Sequence, residues 1–140
     1  MTAHRRIVLT ASGEQPLPLY IEAIGHNHDQ EPIVRPHGYP LYHWIQTAEG
    51  EGVLSFEGKQ TALPPGSGFL LLPNDPHEYK ATGGRWGTLY LTFGGPAADS
   101  LADMLGLRQS GLFRWESDTP LASLVGSLLD RFEGEPDLFG

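Results

Sequence analysis

The segment from Gly66 to Tyr79, Gly-Ser-Gly-Phe-Leu-Leu-Leu-Pro-Asn-Asp-Pro-His-Glu-Tyr, constrains the fold more than any other stretch. Gly66 and Gly68 punctuate one turn, and Pro73, Asn74, Asp75 and Pro76 punctuate the next. Glycine and proline impose backbone geometries that end regular elements. The apolar run Phe69 to Leu72 between them is too short for a helix, so it predicts a buried strand. His77 and Tyr79 follow with the same parity and share one face of an extended segment. A buried strand that delivers a His and a Tyr to one face predicts a pocket wall.

The same punctuation recurs along the chain. Its 140 residues include 18 glycines and 12 prolines, well above the ~12% these two residues usually supply together. They are spread between apolar segments and predict many short strands in a barrel or sandwich. The length suits one domain, residues 1–140, with a real core. Cysteine is absent, which excludes disulfides and thiolate metal sites. The run Ile7-Val8-Leu9 near the start is neither a signal peptide nor a membrane span, so a cytoplasmic location with no membrane partner is expected. A net charge of -8 with scattered basic residues opposes contact with a phosphate backbone.

In chain order, Arg5 to Thr10 predicts an edge strand or an arm. Leu19 to Ile24 alternates as a half-buried strand. Residues 25–32 predict a polar loop holding His26 and His28, and Ile33 to Arg35 a short extended piece. Tyr39 to Thr47 predicts a long strand, with Leu41, His43, Ile45 and Thr47 on one face and Tyr42, Trp44 and Gln46 on the other. Val53 to Phe56 and Gln60 to Leu63 flank the hairpin-type turn Glu57-Gly58-Lys59. Trp86 to Phe93 predicts a last strand, with Trp86, Thr88, Tyr90 and Thr92 on one face. These segments argue an antiparallel barrel over about residues 5–95.

The period then changes. Pro96 suits a first helical turn, Leu101, Met104 and Leu105 follow at helical spacing, and Gly106 suits the position after the helix. Pro120 opens a second helix, with Leu121, Leu124, Val125, Leu128, Leu129 and Phe132 recurring on one stripe. Two C-terminal helices, about 96–106 and 119–133, are therefore expected. The chain stops at Gly140 without a third element to complete their packing, which predicts a cut in a longer protein, with a natural short tail as the alternative.

Glycine, turn, apolar strand, proline turn and histidine in this order resemble the second motif of the cupin β-barrels. The wider order is similar to the N-terminal sensing domain of AraC-type transcription regulators. The matching residues are Arg35-Pro36-x-Gly38, the Tyr39–Gln46 strand, Gly50-x-Gly52, Pro65-Gly66, Phe69 to Pro73, Pro76-His77-x-Tyr79, and Trp86 through Phe93. The resemblance covers residues 18–95 well and the helices more loosely. It implies a mainly β, cupin-like, jelly-roll-type barrel that holds a small-molecule effector, uses no cofactor or metal and catalyses no reaction. Segments 24–36 and 39–56 look closest to regulators of carbohydrate metabolism, which implies a mono- or oligosaccharide effector. It also implies a homodimer paired through Leu121, Leu124, Val125, Leu128, Leu129 and Phe132, although by its pattern alone this stripe covers its own barrel, a partner helix or a share of both. DNA would be contacted only by a helix-turn-helix domain that this chain lacks.

A sugar needs a few fixed polar groups and an aromatic plate. Arg35, restrained by Pro36, offers a planar fork of donors. Tyr79 adds a ring and a hydroxyl, Thr88 and Tyr90 share a face of the last strand, and His43 shares the Ile45 face. The resemblance carries sugar contacts onto Arg35, Tyr79, Thr88, Tyr90, Tyr39 and His43. At Thr88 and Tyr90 it departs from the His and Trp of the best-studied sugar-sensing member. His77 is a rim residue that either satisfies backbone groups or touches ligand. Arg35 could instead pair with a surface carboxylate such as Glu22 or Glu31, and Trp44 reads as core. The rival readings are a metal-dependent cupin enzyme and a stand-alone carbohydrate-binding module. The first is disfavoured because the long strand carries one His rather than a His-x-His pair, and His26 and His28 come too early.

Overall fold

The computed structural model describes residues 4–8, 18–104, 106–115, 125–127 and 130–131. Among them lie β1 (His4–Val8), β2 (Tyr20–Asn27), β3 (Ile33–Arg35), β4 (Tyr42–Glu49), β5 (Gly52–Phe56), β6 (Lys59–Leu63), β7 (Ser67–Leu71), β8 (His77–Ala81), β9 (Gly87–Gly94), α1 (Pro96–Met104) and β10 (Gly111–Arg114). Two antiparallel sheets face each other in the expected cupin-like, jelly-roll arrangement. One has the order β1-β2-β9-β4-β7-β10 and the other β3-β8-β5-β6.

The turns follow the glycines. In the β5–β6 hairpin Glu57 and Gly58 both take positive φ, 53° and 76°, as a tight two-residue turn between twisted strands requires. β7 is buried at every position because β4 and β10 flank it and both of its faces are covered. That explains a continuous apolar run where a half-exposed strand would alternate.

The space between the sheets is divided. At one end Ile45, Leu54, Leu63, Phe69, Leu71, Tyr79 and Trp86 form a tight apolar core. On β2, β9 and the start of β4 the inward positions are instead Asn27, Thr88, Tyr90, Thr92 and His43, all buried. The inward side of β2 and β9 is thus largely polar along its length, and the cavity lies against these two strands.

Three sequence expectations need correction. β2 runs to Asn27, so His26 belongs to a strand and not to a loop. The sheet also takes a strand beyond residue 95: β10 pairs with β7, Gly111 opposite Leu70 and Arg114 opposite Ser67. Its short, largely exposed sequence carries no strand pattern; what β10 satisfies is the row of backbone groups that β7 would otherwise leave unpaired. On α1, Leu101 and Met104 are exposed, and Ala98 and Ala102 form the buried face against Tyr42. Small residues let the helix approach the stacked Tyr42 and Phe93 rings, 5.1 Å apart, and Tyr42 Oη donates to Asp99 at 2.8 Å. Burial and that carboxylate push the Tyr42 phenol up to about 12.

Gly106 ends α1 as expected: it has φ +74°, with Leu107 N donating to Ala102 O at 2.8 Å and Gly106 N to Asp103 O at 3.1 Å, a Schellman cap. Val125, on the stripe whose cover was left open between its own barrel and a partner, is buried against Ile24 and Leu89 of its own sheet. Leu121, Leu124, Leu128, Leu129 and Phe132 lie outside the described residues, as do Leu9, Thr10 and Leu105.

Candidate functional site

A cavity of about 90 Å³ lies between the sheets, lined by Asn27, Gln30, Glu31, Arg35, Tyr39, His43, Tyr79, Tyr90 and Thr92 together with Ala23 and Ile33. Glu31 is exposed and Arg35 half-buried, so the cavity reaches solvent on that side. Five of the sequence candidates meet here: Arg35, Tyr39, His43, Tyr79 and Tyr90. The other two stand behind the wall. Thr88 is fully buried and donates to Gln30 Oε1 at 2.8 Å, so it supports the wall without lining it. His77 holds Arg35.

The register of β3 against β8 explains the centre of the site. Arg35 lies opposite His77 and Ile33 opposite Tyr79, which brings the guanidinium to both side chains. Arg35 Nη1 donates to Tyr79 Oη at 3.1 Å and to His77 Nε2 at 3.1 Å. The guanidinium carbon also lies 5.2 Å from the Tyr39 ring centre and 5.8 Å from that of Tyr79, in cation–π range. Both Nη1 protons are used; Nη2 and Nε are left for a ligand. No salt bridge to Arg35 occurs among the described residues, so neither Glu22 nor Glu31 pairs with it.

Arg35 can only donate, so His77 Nε2 must accept, and Nδ1 carries the proton and donates to the Asp75 carbonyl at 2.9 Å. His77 is therefore the neutral Nδ1 tautomer. Burial lowers its pKa from the usual 6.5, the Arg35 charge lowers it further, and the Asp75 carbonyl opposes both. Burial likewise raises the Tyr79 phenol, against the Arg35 charge and hydrogen bond.

Near pH 6.5 the unfolded chain binds more protons at this residue than the folded chain, so stability rises with pH there. The His77 contribution is complete above the unfolded pKa and is lost as pH falls through the folded one. Protonation would also turn the Nε2 acceptor into a donor facing Arg35. We expect thermal midpoints from about pH 8 to about pH 5 to fall less steeply for His77→Gln than for the parent chain. Parallel curves would show that His77 is not the titrating group.

The sequence reading did not select Glu22, Asn27, Gln30, Glu31 or Thr92. A β-bulge between Ile21 and Ala23 breaks the alternation of β2 and turns Glu22 inward. There its Oε1 accepts from Tyr39 Oη at 2.5 Å and from Thr92 Oγ1 at 2.9 Å. Asn27 starts an Asx turn, its Oδ1 accepting from Asp29 N at 3.1 Å. The backbone N of Gln30 bonds Trp86 O at 2.8 Å, which folds this loop over the cavity. The one available signal was parity: continuing β2 past Gly25 puts Asn27 on the Ala23 face. His26 then shares the opposite face with Ile24, and its ring lies 3.8 Å from that of His28. No group of three or more His, Cys, Asp or Glu side chains that could hold a metal occurs among the described residues.

Comparison with known proteins agrees with this architecture. No curated protein sequence matches significantly. Among solved structures, ToxT from Vibrio cholerae O395 is similar at a TM-score of 0.58 with 11% identity, over 94% of this chain and 46% of ToxT. ToxT bound to (E)-4-(8-methylnaphthalen-1-yl)but-3-enoic acid is similar at a TM-score of 0.59 and 11% identity, over 94% of this chain and 49% of that one. The chain thus spans about half the length of these relatives. A cupin superfamily protein from Desulfitobacterium hafniense aligns at a TM-score of 0.46 and 19% identity, over 64% of this chain and 75% of its own. The family model for an AraC-like ligand binding domain matches residues 19–138, nearly the whole chain, and the chain belongs to that family.

Proposed function

We propose that this domain senses a compact sugar on behalf of an AraC-type transcription regulator whose DNA-binding part lies outside this chain, and that it does so by binding rather than catalysis. The observation that carries the reading is Arg35. Its guanidinium lines the cavity, is braced by His77 and Tyr79, and keeps Nη2 and Nε available. Tyr39, Tyr79 and Tyr90 supply rings for the apolar faces of a sugar, and Thr92, Asn27 and Gln30 supply polar groups. Hydroxyls both donate and accept, so they suit a wall that mixes donors and carboxylates.

Size supports a monosaccharide over an oligosaccharide. The cavity of about 90 Å³ is well below the ~300 Å³ at which ordinary ligand pockets begin. A sugar would have to displace the mouth side chains, and Tyr39 is tied across the barrel to Glu22. Occupancy therefore biases the loop between β3 and β4, which supplies the two arrangements that a population shift needs. A second path leads to the chain's end: Ser110 Oγ, just before β10, donates to Asp75 Oδ2 at 2.6 Å and accepts from Leu72 N at 2.8 Å, while the Asp75 carbonyl holds His77. Pairing of two domains through the helix that carries Val125 belongs to the same proposal, with Val125 itself turned to its own sheet. A cytoplasmic setting follows if the protein acts on DNA.

The test is a thermal-shift screen against mono- and oligosaccharides followed by calorimetry. Saturation a hundredfold above the dissociation constant adds roughly 2.7 kcal/mol, a shift of several degrees. Arg35→Ala is expected to weaken binding of the sugar found by about 2 kcal/mol, close to thirtyfold, through lost charge-assisted hydrogen bonds. Unchanged affinity would remove Arg35 from the site. A flat response to every sugar would defeat the sugar reading while leaving the fold in place.

A second reading is favoured by one observation, the absence of a carboxylate partner on Arg35 among the described residues. An organic acid could supply that partner; ToxT, which is similar in fold, is itself known bound to (E)-4-(8-methylnaphthalen-1-yl)but-3-enoic acid.

A further inference from the structure

We infer that Glu31 is the specificity-determining acceptor of this site: it requires the effector to present a hydrogen-bond donor opposite Arg35, and so admits a hydroxyl-bearing sugar and rejects a simple carboxylate. The inference rests on the sensor reading above and decides between its two ligand classes.

Neighbouring amides hold one exposed side chain, that of Glu31. Glu31 Oε1 accepts from Asn27 Nδ2 at 2.8 Å and from Gln30 Nε2 at 3.2 Å. Gln30 Nε2 also reaches the Glu31 carbonyl at 3.0 Å. Gln30 is itself fixed by buried Thr88 and by the Trp86 carbonyl. Asn27 and Gln30 are only 5% and 7% exposed. Burying amides costs free energy unless each finds a partner, and a carboxylate free in solvent needs no such support. The amide pair instead fixes one orientation of Glu31 at the cavity mouth. Both bonds fall on Oε1, which leaves Oε2 to accept from a ligand.

The second element is the geometry relative to Arg35. Both residues line the same cavity, yet no ion pair joins them. Each is held by neutral side chains, Arg35 by His77 and Tyr79, Glu31 by Asn27 and Gln30. The Tyr79 hydroxyl feels both charges, since Glu31 raises its pKa and Arg35 lowers it. A cavity with a fixed donor pole and a fixed acceptor pole recognises a molecule that accepts at one point and donates at another. Sugar hydroxyls do both. An aliphatic carboxylate satisfies Arg35 but offers Glu31 only more negative charge or an apolar tail, leaving the carboxylate partly desolvated and unpaired.

The experiment measures binding of D-galactose, D-glucose, L-arabinose, butyrate and hexanoate to the 140-residue chain and to Glu31→Gln by calorimetry, with Glu31→Asp as a second variant. Gln keeps an oxygen for Asn27 and Gln30 but removes the charge; Asp keeps the charge but withdraws it. The expected result is that the parent chain binds at least one of the three sugars and neither carboxylate. Glu31→Gln should bind that sugar about tenfold more weakly, the scale of one charge-assisted hydrogen bond at a half-open site, and gain measurable carboxylate binding. Glu31→Asp should weaken the sugar without admitting carboxylates. Equal sugar affinity in all three chains, or a parent chain that prefers a carboxylate, overturns the role of Glu31 while leaving a ligand-binding domain. No binding of any probe overturns the sugar reading and this inference together.

Discussion

Replacing Gly38 by alanine is expected to destabilise the domain by about 3 kcal/mol and to remove effector binding from whatever fraction still folds. Gly38 has φ +71°, and a Cβ there would lie 2.3 Å from the Asn74 carbonyl carbon and 2.5 Å from Asp75 N. Left-handed backbone alone costs a non-glycine residue about 1 kcal/mol or more. The overlap is with main chain, which cannot rotate aside, so two turns must separate. The bonds at risk are Asn74 N to Tyr39 O at 2.6 Å and Gly38 N to Arg35 O at 3.1 Å. One turn carries Arg35 and Tyr39; the other leads into His77. A shift between them pulls the guanidinium off its supports. Gly58→Ala is the control: φ is +76° there but nothing lies within 4 Å of the added Cβ, so only the backbone cost of about 1 kcal/mol applies. Urea denaturation of both variants measures the difference. Equal losses at the two sites would show that the contact between the turns does not matter.

That pair of turns also shows which parts of the molecule are legible in the sequence. Arg35-Pro36-x-Gly38 and Pro73-Asn74-Asp75-Pro76 are visible as breakers because glycine and proline act through their own backbones. The alternation of β4 and β9 is readable because a strand covered on both faces must carry bulk on each. Parity alone therefore places His43, Tyr79 and Tyr90 inside. What is not legible depends on contacts with distant parts of the chain. Glu22 turns inward through a bulge, which inserts a residue and leaves no pattern. Asn27, Gln30 and Glu31 read as a polar loop, and nothing local says that a loop folds over a cavity. Thr88 has the correct parity but sits one pair too deep, where Gln30 covers it. β10 is a strand only because β7 offers it an edge, and α1 buries alanines rather than leucines because Tyr42 and Phe93 leave little room.

The largest loss of stability is expected at Trp86, which joins the apolar core to the loop over the cavity. Its side chain is fully buried, its Nε1 donates to Thr47 Oγ1 at 2.9 Å, and Thr47 Oγ1 donates on to the Leu63 carbonyl at 2.7 Å. Its ring meets Tyr79 edge-on at 5.9 Å, and its carbonyl anchors Gln30. Trp86→Ala should cost about 4 kcal/mol through the cavity it leaves, lowering the thermal midpoint by roughly 10 to 15 °C at this chain length. Trp86→Phe should cost about 2 kcal/mol, because an aromatic ring remains and Thr47 keeps its bond to Leu63. Gly52 supplies a sharper check. A Cβ at Gly52 would fall 2.3 Å from the indole ring, so Gly52→Ala alone should cost about 3 kcal/mol by overpacking. Phenylalanine at 86 vacates that space. In the Trp86→Phe background the same alanine should therefore cost about 1 kcal/mol less or better, a coupling that a double-mutant cycle reads directly. Strict additivity would mean that Gly52 is required by its own backbone and not by the indole packed on it.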